Sequence, residues 1–217
     1  MKKKFIAYTV TILLGLSVAL SAFATDNLDL KVFHGEDDIT VFQSSDDTIG
    51  ITVDSMTDGA KGSLVVNNSV VHFLPMVIAA PKYDVFCVTV DYFSSDKAHI
   101  DEIDFQIGDN VHKFGKVQKK NAWDRTLNCY NETMMFPIDR NSINFMEDFE
   151  MHSDDAITVT LVNRNQSITF ELTDDIKNGC LHLYDLYKQA GGTNKDNLDM
   201  VWLYSGSNTY SVKNSTK

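Results

Sequence analysis

Cysteine and proline are scarce, with three of each in 217 residues. Three thiols, Cys87, Cys129 and Cys180, allow at most one internal disulfide, which excludes a disulfide-stapled scaffold. Cys87 lies in the apolar run Val85-Phe86-Cys87-Val88 and Cys180 on the apolar stripe of an expected helix, so both read as small buried hydrophobes. Beyond residue 24 no apolar run is long enough to span a bilayer; the longest, Val70 to Pro81, is interrupted by His72 and Pro75. Also missing are a P-loop, a G-x-G-x-x-G turn, a G-x-S-x-G elbow, a Cys-x-x-Cys pair and any His pair at the i, i+4 spacing of a helical zinc site. Phosphoryl transfer, dinucleotide chemistry and acyl transfer therefore lose their usual sequence support.

Positive charge is also in short supply, at 19 Lys and Arg against 30 Asp and Glu, for a formal charge of −11. The first 24 residues hold three of those cations, Lys2, Lys3 and Lys4, followed by an uncharged stretch from Phe5 and the triplet Ala22-Phe23-Ala24. That is the pattern of a signal peptide with an A-x-A cleavage site, and it predicts a secreted, periplasmic or cell-surface protein. Cleavage after Ala24 would remove three positive and no negative charges, shifting −11 to −14. Such acidity opposes nucleic-acid binding, and no stable membrane insertion is expected after cleavage.

Short runs rich in Val, Ile, Thr, Phe and Tyr alternate with polar turn clusters, which predicts a mainly β fold: an antiparallel β-sandwich or barrel-like sheet carrying one or two packed helices. The expected strands are Leu28–Phe33, Ile39–Gln43, Ile49–Ser55, Ser63–Asn67, Val70–Ile78, Tyr83–Phe93, Glu102–Ile107, Val111–Val117, Thr133–Ile138, Ala156–Val162 and Ser167–Leu172. Gly108-Asp109 suits a type II′ hairpin that sets Ile103 opposite Phe114, Asp104 opposite Lys113 and Phe105 opposite His112. One helix is expected after an Asn141 or Ser142 cap, with Ile143, Met146, Phe149 and Glu150 on its stripe. A stronger one follows Thr173, with Ile176, Cys180, Leu183, Tyr184 and Tyr187 on one face and Gly191-Gly192 as its stop; Asn178-Gly179 leaves open a start nearer Asn178. The organisation expected is a leader (1–24), one β-rich domain (25–204), with Leu198 to Tyr204 as a last strand or packed tail, and a loose polar tail (205–217).

The hairpin turn Ile107-Gly108-Asp109, the strand Ile168-Thr169-Phe170-Glu171-Leu172 and the helix end Leu186-Tyr187-Lys188-Gln189-Ala190-Gly191-Gly192 resemble small secreted bacterial proteins of unassigned function. The resemblance covers residues 83–192 and implies neither a site nor an activity.

Four Asp doublets read first as turn and helix-cap chemistry. Among them Glu36, Asp37, Asp38, Asp46 and Asp47 are the calcium candidates, since that ion takes several loop oxygens; no other cofactor is indicated. The sign of charge reverses in one place: Lys113, Lys116, Lys119, Lys120 and Arg125 surround Trp123. A loop presenting an indole beside cations can stack a sugar ring and hold an anionic group, so Trp123, Lys116, Lys119, Lys120 and Arg125 are the candidate ligand contacts. The competing expectation is that Trp123 packs against the sheet while the cations stay solvated or pair with acids. The functional expectation is a secreted, non-enzymatic module binding a glycan or a protein surface. An extracellular hydrolase using dispersed carboxylates and a structural envelope protein are the alternatives.

Overall fold

The computed structural model describes residues 28–45, 48–57, 61–81, 83–115, 118–139, 141–163, 167–193 and 209–214. The expected leader and the run Leu198 to Tyr204 lie outside them. The chain forms two antiparallel sheets packed together, with four helices among the described residues, so the expected β-sandwich class holds. The larger sheet is ordered β1 (Ile39–Ser45), β2 (Thr48–Val53), β4 (Ser69–Ala80), β5 (Tyr83–Ser94), β9 (Cys129–Ile138) and β8 (Gln118–Asp124), with β3 (Ser63–Val66) paired to β4. The smaller sheet runs β11 (Ser167–Glu171), β10 (Thr158–Asn163), β6 (Ile100–Ile107), β7 (Asn110–Gly115) and β12 (Thr209–Asn214).

The β6–β7 hairpin pairs Ile103 with Phe114, Asp104 with Lys113 and Phe105 with His112, the register that the Gly108-Asp109 turn predicts. Gly108 sits at φ +53°, the left-handed region that a glycine-first turn requires. One face is apolar and buried. On the other, Lys113 Nζ bonds Glu102 Oε1 at 3.1 Å and also pairs with Asp104, so charge faces charge across the strands.

Four segments depart from expectation. Leu28–Phe33 is not a strand: Asp29 Oδ1 accepts the Lys31 N–H at 3.1 Å and opens a single helical turn, α1 (Lys31–His34). A second single turn, α2 (Asp54–Thr57), follows β2 and buries Met56. Residues 118–124 form strand β8 rather than a loop, because pairing with β9 satisfies the backbone of a polar segment. Thr209–Asn214, expected within a loose tail, pairs along β7; Tyr210 and Val212 alternate with polar residues, a strand-like spacing too short to stand out in a polar tail.

Helix α3 (Ile143–Met151) buries Phe145, Met146 and Phe149 while Glu150 is exposed, a stripe shifted from the expected one by the pull of Phe145 toward other rings. Ser142 precedes it without capping it; its hydroxyl bonds Asp139 instead. Helix α4 (Asp174–Gln189) has the expected cap, Thr173 Oγ1 accepting the Ile176 N–H at 3.3 Å, and the expected buried face. Its far end is held by buried Asp84, which accepts from the Tyr187 hydroxyl and from the Thr193 N–H.

Gly179 does not delay the start of α4. It lies buried against Met56, whose sulfur a Cβ at this position would overlap, so glycine lets α4 and α2 approach closely. Gly179→Ala gains helix propensity but overpacks this contact, and the expected net loss is about 1 kcal/mol in chemical denaturation. Combined with Met56→Ala, the same substitution should cost less than it does alone, a coupling that a double-mutant cycle measures.

Candidate functional site

The candidate ligand segment is an edge of the larger sheet. Strand β8 pairs with β9 so that Trp123 faces Tyr130, Asn121 faces Glu132 and Lys119 faces Met134. Because alternate residues point to opposite faces, Trp123 and Tyr130 share the face that carries Glu132, Met134 and Phe136. That face packs on the smaller sheet through Phe136, and both Phe136 and Met134 are fully buried. Toward the β8–β9 turn it emerges, and Trp123 is 45% exposed.

The turn itself is rigidified by Asp124, whose Oδ1 accepts the Thr126 N–H at 2.8 Å and the Leu127 N–H at 2.9 Å. Asn128 closes it at φ +53°. The Trp123 and Tyr130 rings meet edge to face, with centroids 4.7 Å apart and planes at 71°. Lys97, from the connection between β5 and β6, places its Nζ 5.3 Å above the Tyr130 centroid. That connection is pinned by Glu132, a fully buried carboxylate that accepts the His99 N–H at 2.8 Å and the Ile100 N–H at 3.1 Å. Arg125 stands exposed at the start of the turn and makes no ion pair among the described residues. The result is a half-open aromatic pair with one cation, Lys97, over the Tyr130 ring.

Of the sequence-expected contacts, Trp123 lies here, and Arg125 follows two residues later, exposed in the turn. Lys116 lies outside the described residues, as do the side chains of Lys119 and Lys120, whose backbones pair with Met134 and Thr133. Tyr130 and Lys97 were missed, because only the strand register and the Glu132 anchor bring them to Trp123. Among the calcium candidates, Asp46 and Asp47 are outside the described residues; Glu36 and Asp38 converge with His182, and Asp37 is not part of that group.

The remaining chemistry-bearing side chains brace the fold. Burial pushes the Cys87 and Cys180 thiols up to about 12, so both stay protonated and unreactive near neutrality. Cys129 is buried too, and burial together with the charge of Asp124 raises it. Asp91, buried between His72 and Thr133, is raised by desolvation, with the Thr133 hydroxyl bond and the His72 charge opposing. His72 Nε2 lies 2.7 Å from the Met56 carbonyl. No family model matches the chain, and no curated protein or solved structure matches it at a significant level. The functional reading therefore rests on the side chains themselves.

His112 gives these buried groups a measurable signature. It is fully buried with Nε2 2.8 Å from Asp148 Oδ2, and burial holds it below its ordinary value of 6.5, Asp148 opposing in part. The unfolded chain thus takes up this proton first, and the stability due to a neutral His112 is lost as pH falls through about 6.5 toward the lower folded value. The melting temperature of the wild type should fall more steeply between pH 7.5 and 5.5 than that of His112→Gln.

Proposed function

We propose that the protein is a secreted, non-enzymatic module that binds a glycan at the β8–β9 edge. The observation that carries this reading is the exposure of Trp123 beside Tyr130, with Lys97 over the Tyr130 ring. An indole is ordinarily among the most buried side chains, and here the surrounding chain supplies Tyr130 as a supporting ring rather than a covering layer. A pyranose offers an apolar C–H face to such a ring and hydroxyl or carboxylate groups to neighbouring cations. In a chain of formal charge −11, Lys97 also gives an anionic substituent a cation to pair with beside the rings.

Export rests on the segment from Lys2 to Ala24. No helix among the described residues is long and apolar enough to cross a membrane. Stacking on an exposed ring contributes about 1 kcal/mol, and each desolvated cation contact about as much again. A single sugar is therefore held weakly, and an extended or repeating glycan, engaging several copies at once, suits the site better than a small cofactor.

Trp123→Ala should lower binding to cell-wall glycans about fivefold while shifting the melting temperature by less than about 2 °C, measured by glycan array and differential scanning fluorimetry. A fall in melting temperature on the scale of a core deletion would place the indole in the core and overturn the proposal. So would hydrolysis of a glycan substrate that one carboxylate substitution abolishes.

A further inference from the structure

Helix α4 and the connection between α1 and β1 meet at a cluster with no place in the glycan reading. Glu36, Asp38 and His182 each offer one donor atom, and the three atoms lie within 4.8 Å of one another. His182 Nε2 and Asp38 Oδ1 are 3.3 Å apart. We propose that these three side chains bind a divalent transition-metal ion of the zinc class.

The donor set selects the class of ion. Calcium takes six to eight oxygens, and an imidazole nitrogen is a poor member of such a shell. Zinc accepts imidazole and carboxylate donors at about 2.0–2.1 Å in a tetrahedron, whose corners are then about 3.3 Å apart. The His182 to Asp38 separation, now spanned by a hydrogen bond, already has that value, so the two donors need only turn toward the ion rather than move apart to share it. Three protein ligands leave the fourth corner to water, consistent with the exposure of Glu36 and Asp38 and the half-exposure of His182.

The ligands are also mounted on anchored backbone. Phe33 is 1% exposed and seats α1; the Asp29 N–H donates to the Ala190 carbonyl at the end of α4 at 2.9 Å, and the Asp54 N–H donates to the Asp38 carbonyl at 2.7 Å. His182 projects from a helix whose opposite face is buried through Ile176, Cys180, Leu183 and Tyr187. A site carried on fixed elements loses little conformational freedom on binding. A bound ion would join two segments 144 residues apart in sequence, fastening the start of the domain to α4.

The test uses tag-free, metal-stripped protein titrated with zinc chloride, and separately with calcium chloride, by calorimetry and thermal melting. One zinc ion should bind per chain and raise the melting temperature by about 5–10 °C at a hundredfold excess over Kd, with no shift from calcium. His182→Gln and Asp38→Asn should each weaken zinc at least tenfold while retaining the wild-type circular dichroism, and His34→Ala should leave binding unchanged. Three results would overturn the site: a folded wild type that binds no zinc, undiminished affinity in His182→Gln, or calcium binding as tight as zinc.

Discussion

Four phenyl rings hold the two sheets together. Phe136 of β9 lies 4.4 Å from Phe114 of β7 and 5.7 Å from Phe105 of β6, and Phe145 of α3 closes the group at 4.9 Å from Phe105 and 5.2 Å from Phe114. One ring comes from the larger sheet, two from the smaller and one from the helix that follows β9. Removing a buried ring of this kind costs about 3–5 kcal/mol. Domains are stable by only about 5–15 kcal/mol in total, so the sandwich depends on this cluster more than on any single polar contact.

That dependence decides where chemistry can reside. The inner faces are given over to apolar packing, and the ionisable groups caught inside have fixed partners: Asp84 with Tyr187, His112 with Asp148, Glu132 with two backbone N–H groups. Such groups hold strands and connections in place, because an unpaired buried charge is costly, and are not available to a ligand. What is left for recognition lies at the margins. At the β8–β9 turn the inner face emerges and carries Trp123 and Tyr130 outward; near His182, α4 and the α1–β1 connection bring unlike donors together. The Glu132 contact links architecture to the first margin, since it fixes the connection from which Lys97 reaches Tyr130.

Where the local rule and the tertiary context agreed, residues foretold structure. The Gly108-Asp109 turn and strict alternation fixed the register of β6 and β7, and the Thr173 cap with its apolar face predicted α4. Context overrode the rule elsewhere. Residues 118–124 form a polar strand whose ladder needs only backbone, so no side-chain periodicity marked it, and in Thr209–Asn214 the alternation of Tyr210 and Val212 with polar residues was too short to stand out in a polar tail. Gly179 read as a helix weakness because Met56, 123 positions earlier, cannot be placed beside it from order alone. The site followed the same division. Trp123 and Arg125 stood out as a local reversal of charge, whereas Tyr130, Lys97 and His182 join their partners only through register and packing.

The central claim is that Trp123 is a surface platform rather than part of the sandwich core. The most direct measurement is acrylamide quenching of Trp123 fluorescence in Trp202→Phe protein, with and without saturating cell-wall glycan. The account predicts a readily quenched, solvent-shifted emission that the glycan protects. Blue-shifted emission resistant to quenching, or accessibility unchanged by glycan, would contradict it.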